Sequence, residues 1–214
     1  QLEGATVETL EFIRQRYCLA PGLPSPITLP ICREGLAALF AELGFQRGAE
    51  IGVERGLYSE VLCQANPGLH LLCVDAWRVY PGYRDHVNQA KLEGYYREAC
   101  ARLAPYNCEI IRDWSLAAAE RIEDASLDFV YLDANHDFRH VTDDIDEWGR
   151  KVRWGGIIAG HDYVRGRRIR DCHVKDVVGS WTYAHRIKPW FVVTHGEGDY
   201  PPGNAFPSWF WVQG

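Results

Sequence analysis

The 214-residue sequence has no methionine and no pair of cysteines spaced as CxxC. Nor does any apolar run approach the roughly 20 residues that a bilayer span needs. Without Met at position 1, the natural amino terminus is expected to lie elsewhere. The opening QLEGATVETLEFIRQRY is too polar for a secretory signal. Seven cysteines form an odd set, and several sit in apolar runs such as LLCVD, where a free thiol packs as a small hydrophobe. A reducing, cytoplasmic location is therefore expected. Positive charge is scarce as well, because 23 Lys and Arg against 29 Asp and Glu give a net charge of -6 and a pI near 5.8. Such a chain has no global positive field to attract a polyanion, so nucleic acid and membrane are not expected partners. Small molecules are.

What is present suits one compact domain: 47% hydrophobic and 24% charged residues, with no internal repeat and no low-complexity segment. Residues 6–17 read as a short amphipathic helix, and the Pro-rich LAPGLPSPITLP that follows cannot continue it. Residues 1–32 are therefore expected to form a covering arm ahead of a main domain at 33–214. From Arg33, Leu36, Leu39, Phe40 and Leu43 recur at helical spacing before Gly44, which stops the helix. Five apolar runs (48–53, 69–75, 108–113, 127–133 and 155–162) then end in an acid or a glycine, as strands buried on both faces do. Helix-like segments at 58–65, 86–103, 115–121 and 140–152 alternate with them. The order predicts an α/β fold with a parallel sheet covered by helices. The end, WFVVTHGEGDYPPGNAFPSWFWVQG, reads instead as an antiparallel hairpin.

In open α/β sheets the ligand lies beyond the carboxyl ends of the strands. Asp75, Asp113, Asp133 and Asp162 all fall there. A single strand-end acid often only caps the next helix, but four in the same topological place point to a site. The most specific motif is AEIGVERGLYS (49–59), in which Gly52 and Gly56 bring a strand into a helix beginning near Ser59. Glycines there let the backbone approach a ligand, and replacing Gly52 by Val is expected to abolish binding without unfolding the domain. A dinucleotide turn wants Gly-x-Gly-x-x-Gly, yet Glu54 stands two after Gly52, and a carboxylate repels pyrophosphate. That disfavours a nicotinamide-dependent oxidoreductase. It and a non-catalytic nucleotide-binding domain are the alternatives to an enzyme that uses a ligand without phosphates.

With EIGV…G.YS at 50–59 and DANH…GGII.GHDY at 133–163, the sequence resembles the class I S-adenosylmethionine-dependent methyltransferases. The resemblance implies a Rossmann-like, seven-stranded, mostly parallel sheet whose terminal hairpin supplies strands six and seven. It implies that Glu50, Gly52, Gly56 and Ser59 surround the methionine part of the cofactor. Asp75 and Ala76 would hold the ribose, Asp113, Trp114 and Ser115 the adenine edge, and Asp133 the strand end beside them.

The resemblance extends to metal-dependent O-methyltransferases such as the catechol, caffeoyl-coenzyme A and macrolide-sugar enzymes. It implies a divalent ion at Asp133 and Asp162, with His161 standing where the macrolide-sugar branch carries a second acid. His136 lies three after Asp133, as the general-base histidine of that branch does, so His136 and His161 are the expected catalytic residues. A site that includes histidine tolerates manganese, iron or zinc as well as magnesium. The chemistry asks for these groups, because a neutral alcohol is a poor nucleophile until a cation lowers its pKa and an imidazole takes its proton. The expected acceptor is a small-molecule hydroxyl on a sugar, a phenol or a phosphorylated metabolite.

Residues 77–99 are expected to cover the site. Arg165, Arg167, Arg168 and Arg170, which follow Asp162 directly, would suit an anionic acceptor if they face it. The only macromolecular partner in view is a further copy of the chain, as a homo-oligomer. Two features are expected to be structural: DDIDEWGRK (143–151) as the solvated face of a helix with Asp146/Arg150 and Glu147/Lys151 pairs, and Trp181, Trp190, Trp209 and Trp211 as core.

Overall fold

A computed structural model describes residues 2–81, 88–165, 172–194 and 206–214. In chain order the elements are α1 (Leu2–Arg16), β1 (Ile27–Leu29), α2 (Arg33–Glu42), β2 (Arg47–Ile51), α3 (Leu57–Ala65), β3 (His70–Asp75) and α4 (Gln89–Leu103). Then come β4 (Cys108–Arg112), α5 (Ser115–Ala119), β5 (Leu127–Leu132), α6 (Phe138–Lys151), β6 (Val152–Gly160), α7 (Val174–Ala184), β7 (Trp190–Val193) and β8 (Ser208–Val212).

The sheet order is β1-β7-β8-β6-β5-β2-β3-β4. Every pairing is parallel except those of β8, which runs antiparallel to both β6 and β7. The Rossmann-like sheet with a terminal antiparallel hairpin is therefore present, with eight strands where seven were expected. The added one is β1, three residues inside the Pro-rich arm, held in register against β7 as Ile27 to Phe191 through Leu29 to Val193. A Pro-rich segment can still form an edge strand, because only one side of such a strand needs its N–H groups.

Side chains alternate across the sheet with the period of two that a strand imposes. Leu71, Cys73, Phe129, Tyr131 and Phe210 face a core closed by α1, α2, α3 and α4. Leu72, Val74, Val130, Leu132, Trp209 and Trp211 face the opposite core under α5, α6 and α7. On the first face Phe129 stacks on Phe40 at 4.2 Å between centroids. Trp190, Trp209 and Trp211 are buried as expected, and the half-buried Trp181 stacks on His185 at 4.4 Å. Helix α1 is tied to the edge of β6 and to the carboxyl terminus, since Thr9 Oγ1 donates to the Gly155 carbonyl at 2.7 Å and Thr6 Oγ1 to that of Gln213 at 2.8 Å.

The 143–151 stretch is less solvated than its composition suggests. Asp144, Trp148 and Lys151 are buried, with Lys151 turned to Asp124 and Arg150 paired with Glu147 rather than Asp146. Among the described residues no helix is long and apolar enough to cross a membrane.

Candidate active site

The strand order reverses at β2, which has β3 on one side and β5 on the other. Beyond the carboxyl ends of these strands lies a cavity of about 710 Å³, where open α/β sheets bind ligands. Of the expected site residues, Glu50, Gly52, Asp75, Ala76, Asp113, Trp114, Ser115, Asp133, His136 and His161 line it. Gly56, Ser59 and Asp162 do not, and each has a different place.

Ser59 is fully buried in α3 and donates to Glu50. Burial pushes the Glu50 carboxyl up to about 8, a shift that the Ser59 hydroxyl opposes. Gly56 precedes α3 with φ at +74°, packed so that a Cβ would lie 3.2 Å from Leu103. Gly52 has φ at +92°, and a Cβ there would stand 2.1 Å from the Asp133 carbonyl oxygen. A side chain at Gly52 would therefore break the β2–β5 junction itself, so the expectation that Gly52→Val spares the fold is corrected. The glycine is required by backbone packing as well as by the cavity.

Three N–H groups of the turn are spent internally. Gly52 N donates to Val74 O at 2.9 Å, Glu54 N to Asp75 Oδ2 at 2.9 Å and Gly56 N to Val53 O at 2.8 Å. A pyrophosphate would need such donors free. The other oxygen of Asp75, Oδ1, accepts from Trp77 N at 2.8 Å, so the carboxylate is fixed at the end of β3 on the cavity wall.

At the far end Asp113 Oδ1 accepts from Trp114 N at 2.8 Å and Oδ2 meets Arg121 at 2.8 Å. Ser115 Oγ donates to Asp144 and accepts from Trp148 Nε1 at 2.9 Å. Burial pushes Asp144 up to about 6, which the Ser115 bond opposes. Asp144 reaches the cavity from α6 and was not singled out from the sequence. Trp114 meets the Tyr80 ring edge-on at 5.3 Å, and the Tyr80 hydroxyl is bonded by Asn135, so part of 77–99 does border the site. Residues 82–87 of that segment lie outside the described residues.

The loops after β5 and β6 bring two acids and two imidazoles together. His136 Nε2 lies 2.8 Å from Asp162 Oδ2 and 3.7 Å from Asp133 Oδ1. His161 Nδ1 lies 3.3 Å from Asp162 Oδ1 and 3.6 Å from Asp133 Oδ1. Asp162 adopts φ of +53°, an uncommon conformation that aims its carboxylate at the imidazoles. Burial alone would lower both imidazoles, but the two carboxylates win and hold them well above the ordinary value. Burial alone would raise Asp133 too, yet His161 and His136 hold it well below the carboxylate range. Asp137, not His136, caps α6, accepting from His140 N at 3.0 Å. His140 is drawn to the same Asp137 at 2.7 Å, which leaves it out of the cluster.

Donor atoms of Asp133, His136 and Asp162 all lie within 4.8 Å of one another, a set that could hold a metal ion. His161 Nε2 is buried without a hydrogen-bond partner among the described residues. Two carboxylates with one or two imidazoles suit a divalent first-row metal. Of the expected rim arginines, Arg165 is exposed and pairs with Asp176 at 3.0 Å, while Arg167, Arg168 and Arg170 lie outside the described residues.

Sequence reasoning missed Arg33. It is the first residue of α2, lines the cavity, places NH1 3.4 Å from Asp133 Oδ2 and lays its guanidinium over the Tyr58 ring at 4.8 Å. A helix amino terminus disfavours a cation, and that mismatch was the available signal.

Residues 49–163 match a family model described as a methyltransferase domain. No protein among the curated sequences matches. Among solved structures, the O-methyltransferase from Bacillus cereus in complex with SAH is 16% identical, with a TM-score of 0.59 over 98% of this chain and 90% of that one. The O-methyltransferase TomG from Streptomyces achromogenes, involved in tomaymycin synthesis and bound to SAM, is 19% identical, with a TM-score of 0.57 over 100% and 89%. A structure described as a "putative caffeoyl-CoA O-methyltransferase" from Staphylococcus aureus is 14% identical, with a TM-score of 0.57 over 97% and 92%.

Proposed function

The chain belongs to the methyltransferase-domain family, and from that premise we propose that it transfers the methyl group of S-adenosylmethionine to a hydroxyl of a small molecule. The observation that carries the reading is the juxtaposition of Asp133, His136 and Asp162 at one end of a cavity whose turn carries Glu54 and spends three of its N–H groups internally. The SAM- and SAH-bound O-methyltransferases of the same fold support the choice of cofactor. On this reading Asp75 accepts from the ribose hydroxyls, and Trp114 and Ser115 border the base.

Asp133 and Asp162, with His161 beside them, are the residues that would hold a divalent ion, which leaves His136 as the base. Such an ion lowers the pKa of a hydroxyl and compensates the two acids. The two acids hold a proton on His136, and a cation held at them would oppose that pull and let the imidazole take a proton from the acceptor hydroxyl. Asp162 meanwhile orients the imidazole at 2.8 Å. The protein's remaining tasks are to position the acceptor in line with the methyl group and to exclude water. The acceptor class expected is a sugar, a phenol or a phosphorylated metabolite.

Methyl transfer from labelled S-adenosylmethionine to a panel of such hydroxyls tests the reading. The panel would be run after EDTA treatment, after add-back of magnesium, manganese, zinc or iron(II), and with His136→Ala. Activity should vanish with EDTA, return with one of the metals, and fall by about 100-fold or more in the variant. Full turnover after verified metal removal would exclude the ion, and an unimpaired variant would exclude the base.

A further inference from the structure

All seven cysteines are free thiols, and three of them converge beneath α3. The register of β3 and β4 pairs Leu71 with Cys108 and Cys73 with Ile110, so Cys73 and Cys108 point to the same face of the sheet, the one that α3 covers. Cys63 comes down from α3 onto that face, and its Sγ lies 3.5 Å from the Sγ of Cys108. None of the three lines the cavity. They differ in access. Cys63 and Cys73 are buried, whereas Cys108 is half-buried at the start of β4, the outermost strand of the sheet. Packing asks only for a small apolar side chain at each place and does not require two sulfurs in contact.

A half-exposed thiol that touches a buried one has the arrangement of a reactive cysteine and its resolving partner. We propose that Cys108 and Cys63 form a reversible thiol–disulfide pair whose oxidant is hydrogen peroxide. The Cys108 sulfur attacks the peroxide O–O bond, which breaks to give a sulfenic acid and one water. The Cys63 sulfur then attacks the Cys108 sulfur, the S–O bond breaks, and hydroxide leaves with the Cys63 proton as a second water. Two thiols are oxidised to one disulfide while one peroxide is reduced to two waters, and an external dithiol reverses the bond by exchange. Hydrogen bonding with the Cys63 thiol, and next with that of Cys73, lowers the Cys108 pKa against its burial, which favours the thiolate that the first step needs. The bond would fasten the helix that opens at the glycine turn to the edge of the sheet, across a separation of 45 residues. It depends on neither the cofactor nor the acceptor.

The test is oxidation of the folded, fully reduced chain with hydrogen peroxide, alkylation of the remaining thiols, and peptide mapping by mass spectrometry. The main product should be a single disulfide joining Cys63 to Cys108, restored to two thiols by dithiothreitol. Scanning calorimetry of the linked protein should show a melting temperature higher by about 5 °C or more, because the bond closes a long loop in the unfolded chain. Cys63→Ala removes the resolving thiol, so its Cys108 should run on to the sulfinic acid. Cys108 that is over-oxidised without a link in the wild type, or joined to Cys73 instead, overturns the proposal. So does a 63–108 link that forms only in denaturant or that lowers the melting temperature, since it would then require distortion of the fold. The same Cys108 products with and without Cys63 overturn it as well.

Discussion

Asp144 is a carboxylate with nowhere to put its charge. It is 6% exposed, takes one hydrogen bond from Ser115, and burial lifts it from 3.8 to about 6. A shift of about 2 units at about 1.4 kcal/mol each makes its ionised form cost the folded state about 3 kcal/mol. The folded-state value is raised above the unfolded one. The stabilising contribution of the protonated acid is therefore complete below the unfolded value and is lost as pH rises through about 6. Asp144→Asn keeps an oxygen for the Ser115 hydroxyl and removes the titration. In a chain of this size about 1 kcal/mol moves the melting temperature by about 2–4 °C. The ligand-free variant should thus melt about 6–12 °C above wild type at about pH 8, and that advantage should mostly vanish at about pH 4. Thermal unfolding of both proteins at the two pH values reads this directly. An equal difference at both, or none at the higher pH, would refute the argument from burial.

Two further outcomes follow from the same geometry. Gly52→Ala places a Cβ 2.1 Å from a main-chain oxygen at a positive φ, so it should lower the melting temperature by several degrees as well as weaken S-adenosylhomocysteine, by scanning calorimetry and titration. Asp75→Ala removes the acceptor of the Glu54 and Trp77 N–H groups; it should weaken nucleoside binding by about 1.5–3 kcal/mol, and unchanged affinity by calorimetry would take Asp75 out of the site.

β2, β3, β5 and β6 were legible because a strand buried on both faces needs an unbroken apolar run, and the acids that end such runs mark where the sheet meets its ligand, whereas β4, expected to be buried on both faces, is a partly exposed edge strand. The turn at 49–59 could be read for the same reason. Short or mixed elements could not. β1 is a three-residue edge strand whose partner is 164 residues away in sequence, and α7 (VKDVVGSWTYA) is missed because its β-branched residues and Gly179 dilute the helical pattern. Arg33 and Asp144 escaped for another reason. Each reaches the cavity from a helix, and a lone charge in an amphipathic segment reads as solvated until the fold shows what lies against it. His136 and His161 were legible by position, but that the acids hold protons on them depends on distances that only the structure supplies.

The central claim is that the cavity at the ends of β2, β3 and β5 takes an S-adenosyl ligand and not a dinucleotide. Titration calorimetry of S-adenosylhomocysteine and, separately, NAD into the same preparation tests it most directly. The internally satisfied N–H groups at Gly52, Glu54 and Gly56, with Asp75 at the end of β3, predict one site for S-adenosylhomocysteine and no heat with NAD. Saturable binding of NAD with none of S-adenosylhomocysteine would contradict it.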